Sequence, residues 1–251
     1  MAINYQYSIE NQDGYEFHVI RTKISILRPQ IINSPLCDTS MFGINAGFFA
    51  PGNPPTGASI NYLKNATNNY DYNGVANENY SRGTFVISRL ENGEYFSQIL
   101  SVANITQLFN ITGNTDVIAA VGGGDLAIGM TDSDWKSNVF DAEQWSDFST
   151  HWGPIQGFIE ARRSGIGIKT EGGEKIAYLV VSKNSLGCTL YNLRHLIDGL
   201  GCHSGLFLDG SASSQLQCRT NDGVLVQDRG YKPPSETNRT IWNILRITNT
   251  A

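Results

Sequence analysis

The sequence predicts an α+β fold: a single domain on a mixed, largely antiparallel β-sheet with a few flanking helices. Three observations lead there. Charged residues are only 16% of the chain, glycine is frequent (26 of 251 residues) and asparagine crowds the loops, which is the profile of a strand-and-loop protein. Apolar stretches are short and are separated by turn residues, as in hairpins. One longer stretch, 189–200, carries leucines at helical spacing. No internal repeat or linker-like break divides the chain. Residues 1–251 therefore read as one domain with loop excursions near 61–82 and 131–152.

Within residues 14–27, Tyr15, Phe17 and Val19 share one face, as in a strand with one solvated side. His18 falls on the other side, where a surface histidine is expected. A short buried strand then places Asn45 and Gly47 at its end, before the stiff Pro51-Gly-Asn-Pro-Pro55 loop. Asn45 offers a donor and an acceptor, suited to sugar hydroxyls, to an oxyanion or to bracing the loop itself. Residues 61–82 are rich in Asn and Tyr and show no period. Residues 83–90 and 94–100 flank Asn92-Gly93, the clearest hairpin signal in the chain. Residues 104–110 fit a short helix with Ile105, Leu108 and Phe109 inward.

The strand 116–121 runs into Gly122-Gly123-Gly124, where bare backbone can approach a ligand. The excursion 131–152 carries Trp135, Trp145 and Trp152. These form a satellite core or a platform for a sugar or base, the core being the better reading. In the strand 159–169, Glu160 and Arg163 sit near the start. Arginine's planar fork matches a phosphate, although a surface ion pair is the alternative. Glu171-Gly-Gly-Glu174 turns that strand into a second one, 175–182. Thr189 caps a core-packing helix that Gly199 or Gly201 ends. His195 and His203, in or just after it, carry no expected chemistry. Strands at 223–227 and 240–248 complete the set, with Arg229, Lys232 and Arg239 adding local positive charge.

The rest is organised around residues 205–216. Leu206-Phe207-Leu208 ends at Asp209, and five small residues, Gly210 to Ser214, follow. This reads as a buried strand delivering one carboxylate to its exposed end, then a tight loop. Successive N–H groups in such a loop can form an anion nest beside that carboxylate, although Asp-Gly is also an ordinary turn signal.

Composition removes several functions. The net charge of −5, with no basic stretch, argues against nucleic-acid binding. No window is apolar for long enough to cross a membrane. The first residues lack a basic segment followed by an apolar one, so a cytoplasmic location is expected, with export by another route or a trimmed chain as alternatives. Cys37, Cys188, Cys202 and Cys218 show no metal spacing and read as reduced core thiols. The glycosylation-like triplets at Asn104 and Asn110 read as chance.

Four blocks occur in the order known from the phosphodiester glycosidase family, which the chain resembles over about residues 40–248. They are Asn45-Ala-Gly-Phe-Phe49; the glycine run 122–124 with Gly129; Arg163-Ser-Gly-Ile-Gly-Ile168 with its hairpin, Gly187-Cys-Thr-Leu190, the helix and Leu208-Asp-Gly-Ser-Ala-Ser-Ser214; and Asn238-Arg-Thr-Ile-Trp-Asn243. The last two are the specific part. The family usually places three glycines and a serine after the aspartate; here Ser211 and Ala212 replace two of the glycines. A proline commonly follows the middle glycine run, and a threonine the strand arginine; here they are Asp125 and Ser164.

The resemblance implies hydrolysis of a glycosidic phosphodiester, a small-molecule sugar joined through its anomeric carbon to phosphate. On that reading Asp209 faces the anomeric carbon, Arg163 neutralises the phosphate and Glu160 is a partner carboxylate. Asn45, Gly47, Gly123, Gly124, Gly210, Ser213 and Ser214 line the substrate. No cofactor follows, and a divalent cation and the oligomeric state are left open. The rival expectations are a module that holds a phosphorylated sugar or nucleotide-like ligand without turnover, and an adhesin with Asn/Tyr-rich loops.

Overall fold

A computed structural model describes residues 4–49, 63–64, 69–70, 81–112, 116–145, 159–183, 187–230 and 239–248. Its strands form three sheets, and every described pairing is antiparallel. The first sheet joins β1 (Tyr5–Gln12), β2 (Tyr15–Lys23), β12 (Glu174–Ser182), β11 (Ser164–Glu171), β13 (Ser204–Phe207) and β10 (Gly124–Asp125), in that order. The second joins β15 (Leu225–Asp228), β14 (Leu216–Arg219), β4 (Phe42–Asn45), β16 (Ile241–Ile247) and β3 (Leu27–Ser34). The third joins β6 (Asn69–Tyr70), β5 (Leu63–Lys64), β9 (Asp116–Gly122), β7 (Arg82–Arg89) and β8 (Tyr95–Val102). The α+β expectation stands.

The main core collects apolar side chains from all three sheets, among them Ile20, Ile44, Phe85, Ile166, Leu206 and Ile244. The other face of the first sheet is covered by the helix α3 (Leu190–Gly199) and the segment 126–145, which includes the short helix α2 (Asp132–Trp135). β2 is thus buried on both sides rather than half-solvated, and His18 is only 7% exposed. The surface reading of His18 is corrected for that reason.

Local chemistry explains the elements. Thr189 and Asn192 form a reciprocal capping box at the start of α3. Gly201, at φ +75°, takes up the left-handed turn past its end. The helix α1 (Ile105–Thr112) buries Leu108 but leaves Phe109 37% exposed, so Phe109 is not inward as expected. Trp135 and Trp145 are fully buried beside Phe140 and Phe207, the satellite core of the favoured reading; Trp152 lies outside the described residues. Most of the 61–82 excursion also lies outside them; its described pieces β5 and β6 pair with each other and, through β5, with β9. The four cysteines are buried and free, and burial pushes their thiols up to about 11–12.

The glycine run has a structural cause. A Cβ on Gly123 would meet the Phe207 carbonyl oxygen at 2.2 Å, and one on Gly124 the Phe207 ring at 2.0 Å. These glycines let β10 lie flat on β13. The expectation that Gly123 and Gly124 open backbone to a ligand is corrected accordingly.

Candidate active site

Asp209 stands where the chain leaves the end of β13 in the first sheet and crosses to β14 in the second. The end of β4 and the start of β11 meet it there. Asp209 N–H donates to Ala46 O at 3.2 Å, and Asn45 Nδ2 donates to Asp209 O at 2.6 Å. Asn45 is 1% exposed, and its Oδ1 accepts from Ser164 Oγ (2.7 Å) and from Gln215 N–H (3.1 Å). Ser164 Oγ also meets Ser214 Oγ at 3.1 Å. Asn45 therefore ties both sheets to the aspartate backbone, which is the bracing role weighed for it. Gly47 is buried beside this crossing.

The carboxyl of Asp209 is raised from 3.8 to about 6, chiefly because burial penalises its charged form. Ser213, the Arg239 charge and Gly210 N–H pull the other way. Gly210 N–H lies 2.9 Å from Asp209 Oδ1. Ser213 Oγ is buried and makes no well-formed hydrogen bond among the described residues, so this hydroxyl faces the carboxyl with capacity to spare.

The loop does not form the expected anion nest. Ser211 N–H donates to Arg162 O (2.7 Å), Ser213 N–H to Gly210 O (3.1 Å) and Ser214 N–H to Ser211 O (3.2 Å). With Gly210 N–H on Asp209, these donors are engaged inside the protein. Gly210 and Ser214 are packing residues: a Cβ on Gly210 would lie 2.8 Å from Arg162 O, and Ser214 is fully buried.

The arginines divide differently from expectation. Arg163 Cδ lies near Gly210, but its guanidinium donates to Cys188 O (3.2 Å) and Ile159 O (2.9 Å). Burial pulls Arg163 down to about 10, which leaves it a cation at neutral pH. The charge acting on Asp209 is that of Arg239. Arg239 is exposed, its guanidinium carbon sits 5.3 Å from the Phe49 ring centroid, and its carbonyl is held by Gln215 Nε2 at 2.8 Å. In the sequence Arg239 reads only as local positive charge; its signal is its place in the last of the four blocks. Glu160 is exposed and accepts from Tyr15 OH at 2.5 Å, and no described interaction brings it to Asp209.

Among the described residues no group of three or more His, Cys, Asp or Glu side chains could hold a metal ion. No described helix is long and apolar enough to cross a membrane. A groove of about 300 Å³ lined by Lys23, Glu94, Tyr95, Glu174 and Lys175 lies at the hairpin-turn end of β11–β12, away from the Ser164 end that meets Asp209.

A family model described as phosphodiester glycosidase matches residues 38–248. No curated protein matches the chain in sequence. Among solved structures, the catalytic domain of zebrafish N-acetylglucosamine-1-phosphodiester alpha-N-acetylglucosaminidase, auto-inhibited by its pro-peptide, superposes with a TM-score of 0.62 at 13% identity, over 98% of this chain and 83% of that one. An exported protein of Burkholderia pseudomallei gives 0.54 at 10% identity over 94% and 74%. A hypothetical protein from Synechocystis gives 0.51 at 15% identity over 97% and 62%. At these identities the likeness is one of fold.

Proposed function

The chain belongs to the phosphodiester glycosidase family, and on that premise we propose that it hydrolyses the bond between a sugar's anomeric carbon and a phosphodiester oxygen. The observation that carries the reading is the company of Asp209: a carboxyl raised to about 6, under the charge of the exposed Arg239 and beside the buried Ser213 hydroxyl. Above about pH 6 Asp209 is a carboxylate able to take a proton from water. That water adds to the anomeric carbon. The bond from carbon to the bridging oxygen breaks, its electron pair stays on oxygen, and a phosphomonoester leaves. Such a leaving group is already a stable anion, so a strong acid partner is dispensable. Arg239 meets the phosphate charge, and Arg163 adds a buried positive charge behind Gly210.

The test is hydrolysis of a sugar-1-phosphodiester by wild type, Asp209→Asn and Arg239→Ala. Loss of about 10²–10⁴-fold in Asp209→Asn is expected; full activity in both variants overturns the assignment. Ser211 and Ala212, standing where the family usually has glycines, favour a second reading, a module that binds a phosphorylated ligand. Recovery of bound, intact ligand from the wild type selects it.

A further inference from the structure

The loop that follows Asp209 is gripped from two sides. On one side Arg162 O takes the Ser211 N–H at 2.7 Å and packs on Gly210. On the other, Gly230 lies so close to the carbonyls of Ala212 and Ser214 that a Cβ there would stand 2.9 and 2.8 Å from them. Ser211 between them is held at φ +56°, a left-handed conformation that costs a residue with a side chain and needs support from its surroundings.

One carboxylate joins the two jaws. Asp228 Oδ2 accepts from Arg162 Nη2 at 2.7 Å, while Asp228 Oδ1 accepts from Gly230 N–H at 3.2 Å. His18 Nε2 adds to Oδ2 at 3.2 Å, and Tyr7 OH meets His18 Nδ1 at 2.8 Å. Arg162 and His18 are 5% and 7% exposed, so these groups have little water to fall back on. Arg162 Nε is itself buried and meets no hydrogen-bond partner among the described residues, and Asp228 anchors that guanidinium through Nη2. Tyr7 and His18 belong to the N-terminal hairpin, outside the residues 38–248 that the family model matches.

From this geometry we infer that Asp228, held by His18, is a positioning residue: its carboxylate sets the 210–214 loop and, through it, the aim of Asp209. The N-terminal hairpin is then a working part of the site. The inference rests on the proposed hydrolysis for its kinetic arm only. A misplacement of about 1 Å at a catalytic group can cost about 10²-fold in rate.

The experiment pairs residue-resolved amide hydrogen exchange with kinetics on Asp228→Asn, His18→Ala and His18→Gln. In Asp228→Asn and His18→Ala, Ser211 N–H is expected to exchange at least about 10-fold faster while Gly165 and Leu179 in the sheet keep their protection. kcat on the sugar-1-phosphodiester should fall about 10–100-fold with KM little changed. His18→Gln, which can still donate to Asp228, should recover most of both. Unchanged Ser211 exchange in Asp228→Asn and His18→Ala overturns the inference, as does a loss in His18→Ala that His18→Gln fails to reverse. If Asp228→Asn loses protection throughout, the two His18 variants decide. A wild type without hydrolytic activity would sink the proposed function, and the exchange arm would still decide the role of Asp228.

Discussion

At Asp209 the burial that raises the carboxyl works against the fold. Its folded pKa, about 6, lies above the ordinary 3.8, so the native state holds the proton more tightly than the unfolded chain does. The stability from this group is full below about pH 4 and is lost as pH rises through about 6. Asp209→Asn should therefore raise stability at pH 7.5, by on the order of 1–3 kcal/mol, while it removes hydrolysis. Thermal unfolding at pH 4 and pH 7.5 checks this: the gain should shrink toward zero at the lower pH. Arg239 acts on the same carboxyl from the solvent side. Without its charge, Asp209 should titrate higher, so Arg239→Ala should move the acid limb of the kcat/KM profile to higher pH and lower kcat/KM about 10–100-fold. A profile unmoved by this substitution would separate Arg239 from the site.

The elements show which patterns a sequence exposes and which it hides. The helix at 190–199 and the hairpins at 92–93 and 172–173 were legible because each carries its own cap or turn residue. β1 and β3 escape a sequence reading: β1 is polar and only one of its residues is buried, and β3 contains Pro29, so neither shows a strong period. The triple glycine misled because close packing and ligand approach ask for the same missing side chain. Gly123→Ala should cost about 2 kcal/mol or more in urea unfolding, because the Phe207 carbonyl it would strike is backbone and cannot swing away. The 132–145 segment is docked by Glu143, whose carboxylate takes Gly83 N–H at 2.6 Å, Asp125 N–H at 3.1 Å and Trp145 Nε1 at 2.6 Å. Burial raises that carboxyl to about 8, so its contribution to stability is full below about pH 4.5 and is lost as pH rises through about 8. Wild type should lose melting temperature between pH 6 and pH 9, and Glu143→Gln should flatten that loss.

Across the whole molecule, the site belongs to the meeting of two sheets. Asp209 leaves the first, Asn45 ends a strand of the second, and Ser164 and Gln215 bind the pair together. The order of four short blocks pointed to this meeting because each block lies at a strand end. The partnerships across it could not be read: His18 with Asp228, or Gln215 with Arg239, leave no periodic trace in the chain. At the same scale stands the central claim, that Asp209 directs water to a sugar carbon and leaves the phosphorus alone. The most direct measurement is hydrolysis of a sugar-1-phosphodiester in oxygen-18-labelled water, with both products weighed by mass spectrometry. The label should appear on the sugar's anomeric hydroxyl, with none in the phosphomonoester and turnover about 10²–10⁴-fold lower in Asp209→Asn. Label in the phosphate, or a substrate bound and recovered intact by the wild type, would contradict the account.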